Sequence, residues 1–218
     1  MKGIISFTYR TPKGADTVFY SEEMRASKAL LLIEDMEKTG RAKDIQFIDT
    51  HEHVWRVKEL RKQLEEIKTE PHNIKIYFDG GFDLKSKKSG LGCAVYYEQN
   101  DKTFRIRRNA LVEELESNNE AEYAALHLAV QEVEELGGHH MPITIIGDSQ
   151  VVIKQLEEDW PCYEKELAKW ANRIEVKLEK LGLEAEFELV SRKNNREADQ
   201  LASQALKDVN ISSLKEIE

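Results

Sequence analysis

Ile74-Lys75-Ile76-Tyr77-Phe78-Asp79-Gly80-Gly81 is the stretch on which the reading of this chain turns. Its β-branched and aromatic residues predict a sheet strand, and the strand stops at a carboxylate beside two glycines. A second apolar run, Ile143 to Ile146, stops in the same manner at Gly147-Asp148-Ser149. In open α/β sheets, sites form outside the carboxyl ends of the strands. An Asp after a strand also serves simply to open a turn, so neither residue alone identifies a site.

Working outward, Gly92 to Gln99 and Thr103 to Leu111 predict two more strands. A helix is expected after Ser117, running to Leu136 and closed by Gly137-Gly138. A short helix (Gln150 to Leu156), a long one (Tyr163 to Leu181), a fifth strand (Phe187 to Val190) and a last helix (Arg196 to Leu206) follow. This order predicts an α/β fold, a mixed five-stranded sheet flanked by helices. Residues 1–70 read as a hairpin around Pro12-Lys13-Gly14, a helix capped by Ser21, a strand at Ile45 to Ile48, and a helix carrying Val57, Leu60, Leu64 and Ile67. Pro71 disfavours helix in its predecessor. The expected division is therefore a small α+β domain over 1–70 and a larger α/β domain over 71–218.

The chain has 218 residues, 32 Lys and Arg against 41 Asp and Glu, a net charge of −9, and 40% hydrophobic residues. Such a composition supports a packed core and excludes a wholly disordered chain. No apolar run approaches the roughly 20 residues that span a bilayer. Met1 to Ser6 lack the apolar stretch of a leader, and Cys93 and Cys162 form neither a disulfide framework nor a metal-ligand spacing, so a reducing cytoplasm is the expected location. Residues 1–70 carry 13 charges of each sign, which leaves the whole acidic excess in 71–218. Net acidity argues against a non-specific nucleic-acid binder. Local basic groups exist nonetheless: Lys85, Lys87 and Lys88; Arg105, Arg107 and Arg108; and the helical row Lys165, Lys169, Arg173 and Lys177. They either meet a phosphate backbone or form solvated faces.

Two more carboxylates stand at helix heads. Ser117-Asn118-Asn119-Glu120 matches a capping box, which occupies Glu120. Glu122 instead leads the apolar stripe Leu126, Ala129, Val133 and Leu136, where a carboxylate is costly unless paired or bound to a metal. Asp199 lies early in the last helix after Asn195, an expected cap, and could simply complement the helix dipole. Gathered in one pocket, Asp79, Glu122, Asp148 and Asp199 would repel one another and take up protons unless a cation held them. Hard oxygen ligands without a His or Cys set suit Mg²⁺ or Mn²⁺. Two such ions about 3.5–4 Å apart are the basis of metal-assisted phosphoryl transfer.

Four motifs in order carry a resemblance: Ile76 to Gly81, Ser117 to Tyr123, Gly147 to Val152, and Asn195-Arg196-Glu197-Ala198-Asp199-Gln200-Leu201-Ala202. Residues about 73–208 resemble the ribonuclease H family, in its shorter bacterial and archaeal type without the basic protrusion. The resemblance implies that Asp79, Glu122, Asp148 and Asp199 hold two Mg²⁺ or Mn²⁺ ions. It further implies that Asn118, Asn119, Gly80, Asn195 and Arg192 lie on the substrate side, and that the RNA strand of an RNA/DNA hybrid is hydrolysed to 3′-hydroxyl and 5′-phosphate ends. Arg192 stands where many members carry a mobile His; it cannot act as a general base at neutral pH but could hold a phosphate. A non-catalytic nucleic-acid-binding module, or a nuclease preferring another duplex, are the alternatives. The hairpin-helix-strand-helix order of residues 1–70 is similar to the hybrid-binding domains that precede some ribonucleases H, with Tyr9, Arg10, Lys13, Phe19, Trp55 and Arg56 available for stacking and phosphates.

Overall fold

Both apolar runs that end in Asp become neighbouring strands of one sheet. The computed structural model describes residues 1–217; Glu218 lies outside the described residues. The chain forms two compact units, Met1–Thr69 and Glu70–Glu218. Among the described residues no helix is long and apolar enough to cross a membrane.

The first unit runs β1 (Lys2–Arg10), β2 (Asp16–Tyr20), β3 (Met24–Arg25), α1 (Ala26–Thr39), β4 (Ala42–Asp49), β5 (Val54–Arg56) and α2 (Val57–Thr69). Its antiparallel sheet has the order β2-β1-β4-β5, with β3 beside β1. Ile5 and Phe47 from the sheet meet Ala26, Ala29 and Ile33 of α1 and Leu60 of α2 in a small core. Helix α1 starts later than the sequence suggests. The Ser21 hydroxyl accepts from the Ile5 N–H at 2.8 Å and donates to the Glu22 carbonyl at 2.8 Å, so it closes the hairpin instead of capping a helix. Gly40, at φ 66°, ends α1 in the left-handed conformation that glycine adopts without strain.

The second unit comprises β6 (His72–Asp83), β7 (Lys88–Gln99), β8 (Lys102–Val112), α3 (Asn118–Glu135), β9 (Pro142–Gly147), α4 (Gln150–Leu156), α5 (Lys165–Leu181), β10 (Glu184–Leu189), a 3₁₀ turn (Arg192–Asn194), α6 (Arg196–Leu206) and β11 (Ser212–Ile217). The sheet order is β10-β9-β6-β7-β8-β11. Strands β6, β7, β8 and β11 pair antiparallel, whereas β9 and β10 join in parallel. This is the mixed sheet flanked by helices that the sequence predicts, with six strands where five are expected. The extra strand, Ser212-Ser213-Leu214-Lys215-Glu216-Ile217, buries little and carries no apolar run, so its pattern resembles a polar tail. It is fixed by Asn109, whose amide donates to the Leu201 carbonyl at 3.0 Å and the Val209 carbonyl at 2.9 Å and accepts from the Ile211 N–H at 2.7 Å.

The pleat of β6 sorts its side chains. Ile74, Ile76 and Phe78 enter the core with Leu126, Ala129 and Val133 of α3, while Asp79 lies on the opposite face. Helix α3 is buried on nearly every side, because α5 packs on the face that its Glu120-Ala124-His127 row suggests is polar.

Candidate active site

Glycines determine how closely helices approach the carboxyl end of β6. A Cβ at Gly80 would lie 2.1 Å from the Ala121 carbonyl carbon, so only glycine admits the first turn of α3 there. The Gly80 N–H then donates to Glu122 Oε2 at 3.3 Å, and the Phe82 N–H donates to Asn118 Oδ1 at 3.3 Å. On the other face, a Cβ at Gly90 would meet the Ala202 oxygen at 2.1 Å, and one at Gly92 the Ala198 oxygen at 2.4 Å. Those gaps let α6 settle on β7 and bring Asp199 towards Asp79.

The head of α3 is built as its sequence suggests, with one shift. Ser117 Oγ accepts from the Glu120 N–H at 3.1 Å, but the Glu120 carboxylate turns back to the Glu116 N–H at 2.6 Å, one residue earlier than a standard capping box. Asn195 departs further from expectation, since its side chain makes no capping bond to α6. Its buried amide instead donates to the Phe78 carbonyl at 2.8 Å and to Asp148 Oδ1, tying together β6, the end of β9 and the start of α6.

The structure brings the four acids into electrostatic contact. Asp79 is 5% exposed and Glu122 8%. Burial, reinforced by the charges of Asp148 and Asp199, pushes the Asp79 carboxyl up to about 7. Burial, reinforced by Asp79 and Asp148, pushes Glu122 up to about 9 against the lowering pull of the Gly80 N–H and Arg192. Asp148 and Asp199 are more open, and Arg192 stands at the rim with its side chain 79% exposed. Its Nε lies 4.0 Å from Asp148 Oδ2 and its Nη2 3.6 Å from Asp199 Oδ1, ion pairs too long to be hydrogen bonds. Asn118 and Asn119 sit in the first turn of α3, exposed and half-buried respectively.

Four carboxylates with no thiolate or imidazole among them form a hard oxygen set suited to Mg²⁺ or Mn²⁺. Burial first, and their mutual repulsion second, raise Asp79 and Glu122, and a bound cation would favour the ionised forms against both. Among the described residues no three His, Cys, Asp or Glu side chains are already arranged to hold a metal ion. A guanidinium is the cation that the structure places there.

Most of the basic groups singled out by the sequence are taken up internally. Arg105 and Arg107 approach Glu197 at 3.0 and 3.2 Å, and the Tyr96 hydroxyl donates to the same carboxylate. Arg108 grips Glu132 with two bonds of 2.7 and 2.9 Å. Lys88 pairs with Glu113, Lys169 with Glu166 and Lys177 with Glu134, while Arg173 lies 4.8 Å from the Trp170 ring centroid. Glu197 and Glu132 are absent from the sequence-derived site, although Arg105 and Arg107, two residues apart on one strand, share a face that calls for an acid. A cavity of about 400 Å³ is lined by Lys75, Tyr77, Tyr96, Asn194, Asn195 and Glu197, and none of the four acids lines it.

This arrangement has relatives. The chain is 42% identical over 196 residues to the uncharacterised protein YpeP of Bacillus subtilis (strain 168), spanning 89% of this chain and 86% of that one. RNase H1 from the halophilic archaeon Halobacterium salinarum superposes with a TM-score of 0.51 at 26% identity, over 63% of this chain and 99% of that one. LC11-RNase H1, solved in complex with an RNA/DNA hybrid, gives a TM-score of 0.56 at 24% identity, over 62% and 98% of the two chains. Residues 77–205, from within β6 to the last turn of α6, match the model of the reverse transcriptase-like family, and the chain therefore belongs to that family of ribonuclease H-like domains.

Proposed function

We propose that the protein is a divalent-metal-dependent endonuclease that hydrolyses the RNA strand of RNA/DNA hybrids. The observation that carries this reading is the burial of Asp79 and Glu122 within reach of Asp148 and Asp199, an array of carboxylates that without a metal ion stays buried only by taking up protons and that a divalent cation would balance directly. Asp79, Glu122, Asp148 and Asp199 would hold two Mg²⁺ or Mn²⁺ ions. When bound, such ions supply charge to stabilise a phosphodiester transition state and acidify water for attack at neutral pH. The chain's own groups prepare that site. Asp79 and Glu122 carry protons that leave as the site fills, the Asn195 amide holds the Asp148 carboxylate in one orientation, and the Gly80 N–H steadies Glu122. The first turn of α3 offers Asn118, Asn119 and the positive end of the helix to a nucleic-acid strand. Arg192 contributes a permanent positive charge at the rim, where a phosphate can meet it.

Purified full-length protein incubated with a 5′-labelled RNA/DNA hybrid tests this, first with Mg²⁺ and then with Mn²⁺. Native protein is expected to cut the RNA strand, and Asp148→Asn to cut nothing detectable while keeping its far-UV circular dichroism. Full activity of that variant, or activity in excess chelator, would sink the mechanism. The second reading is a binding module that no longer cleaves, and the guanidinium among the carboxylates favours it. Hybrid binding without cleavage in either metal would select it, and the same assay on other duplexes reads the strand preference.

A further inference from the structure

Among the described residues, Arg192 is the only Lys or Arg in ion-pair reach of these four carboxylates. It touches one acid at the end of β9 and another in the first turn of α6, the two most open of the set, from a 3₁₀ turn that leaves it mostly in solvent. Its neighbours hold it loosely. Neither contact is a hydrogen bond, and an exposed ion pair with a long side chain is weak. The guanidinium cannot lose its charge. A divalent ion gathered by the same carboxylates would bring its own charge to the place where the guanidinium now balances them.

We propose that Arg192 is an exchangeable counter-ion, which neutralises Asp148 and Asp199 while the site is free of metal and swings away when a divalent cation enters. Resting on the metal-site reading above, this inference adds a competition between the side chain and the ion. The released guanidinium stays tethered at the rim, free to meet a phosphate. Because coupling between two ligands of one site is reciprocal, whatever the arginine contributes to the metal-free state the ion must overcome.

Calorimetric titration of the full chain with Mn²⁺, without nucleic acid, measures that competition. Arg192→Ala is expected to bind Mn²⁺ roughly fivefold more tightly than native protein, near the low end of coupling effects. Lys193→Ala removes the same charge from the neighbouring exposed position and is expected to stay within about twofold of native. In a ¹⁵N–¹H spectrum the Arg192 Nε–Hε resonance should move towards that of a free arginine as Mg²⁺ is added. Equal or weaker Mn²⁺ binding by Arg192→Ala, or equal tightening by Lys193→Ala, would overturn the exchange and leave the metal site standing. Absence of Mn²⁺ binding by native protein would overturn both.

Discussion

The two units of this chain bury different things. In residues 1–69 the buried core is wholly apolar, from Ile5 and Ile33 to Phe47 and Leu60. In residues 70–217 the buried set also includes Asp79, Asn109, Glu120, Glu122, Glu132 and Asn195. Each buried polar group costs free energy unless it is satisfied, so the second unit carries a burden that the first does not. Glu132 is answered by Arg108, Glu120 by the Glu116 N–H, and Asn109 by three backbone groups. Asp79 and Glu122 are answered mainly by taking up protons. The difference separates polar burial that is satisfied by partners within the fold from polar burial that is left to protons.

The largest expected effect probes the first kind. Arg108→Met would leave the Glu132 carboxylate buried with its two hydrogen bonds gone, and should destabilise the second unit by about 3 kcal/mol. Ile33→Ala in the first unit should cost a similar ~3 kcal/mol through a cavity. Urea denaturation distinguishes them, because the loss from Ile33→Ala should not change with salt, whereas that from Arg108→Met should. An Arg108→Met protein as stable as native would mean that the Glu132 carboxylate does not depend on this partner.

A smaller effect probes the second kind. The folded-state pKa values of Asp79 and Glu122, about 7 and about 9, lie above the unfolded values near 4. Between those limits the folded state holds protons that the unfolded chain has released. Stability of the metal-free protein should therefore fall as pH rises from about 4, through about 7 for Asp79 and about 9 for Glu122, and level off beyond. Asp79→Asn should stabilise the metal-free protein at pH 9 by on the order of 2 kcal/mol and flatten the lower part of the slope. Mg²⁺ should recover stability in native protein at high pH, since it favours the ionised carboxylates. A flat denaturation profile from pH 5 to 9 would place both acids outside this class.

These two kinds of burial were not equally legible in the sequence. The apolar runs ending at Asp79 and Asp148 stood out because Ile74, Ile76 and Phe78 of β6 and Ile143 and Ile145 of β9 all enter one core, so each run is dominated by large apolar residues. Glu122 was marked by its position at the head of a helical stripe. Glu132 lies on the same helix, yet nothing local reports that a strand arginine distant in sequence will meet it. Strand β11 was hidden for the opposite reason, since an edge strand tolerates Lys215 and Glu216 and so loses the alternation that reveals a strand. Ser21 had the chemistry of a cap, but a strand partner took its hydroxyl first. Gly90-Leu91-Gly92 in a strand is a local sign of a helix lying close on one face, and here that helix carries Asp199.

The smallest expected effect concerns the positive charges of the second unit, and it tests whether the comparison extends to the surface. If the row on α5 met a nucleic-acid backbone, each charge reversal would lower affinity and reduce the salt slope by about one. Arg173 lies over Trp170 and Lys177 is mostly buried against Glu134, so both already have partners within the unit. Lys169 pairs with Glu166 while both remain exposed, a contact weak enough for a phosphate to replace. It is thus the informative position. Lys169→Glu and Arg173→Glu are expected to change hybrid affinity by less than about twofold and to leave the salt slope unaltered, as befits groups that balance charge within the unit. A slope reduced by Lys169→Glu alone would show that an exposed pair can be recruited to substrate. Reduction by both would mean that the stacked arginine also abandons Trp170, and the division between internal and substrate-facing charge would fail.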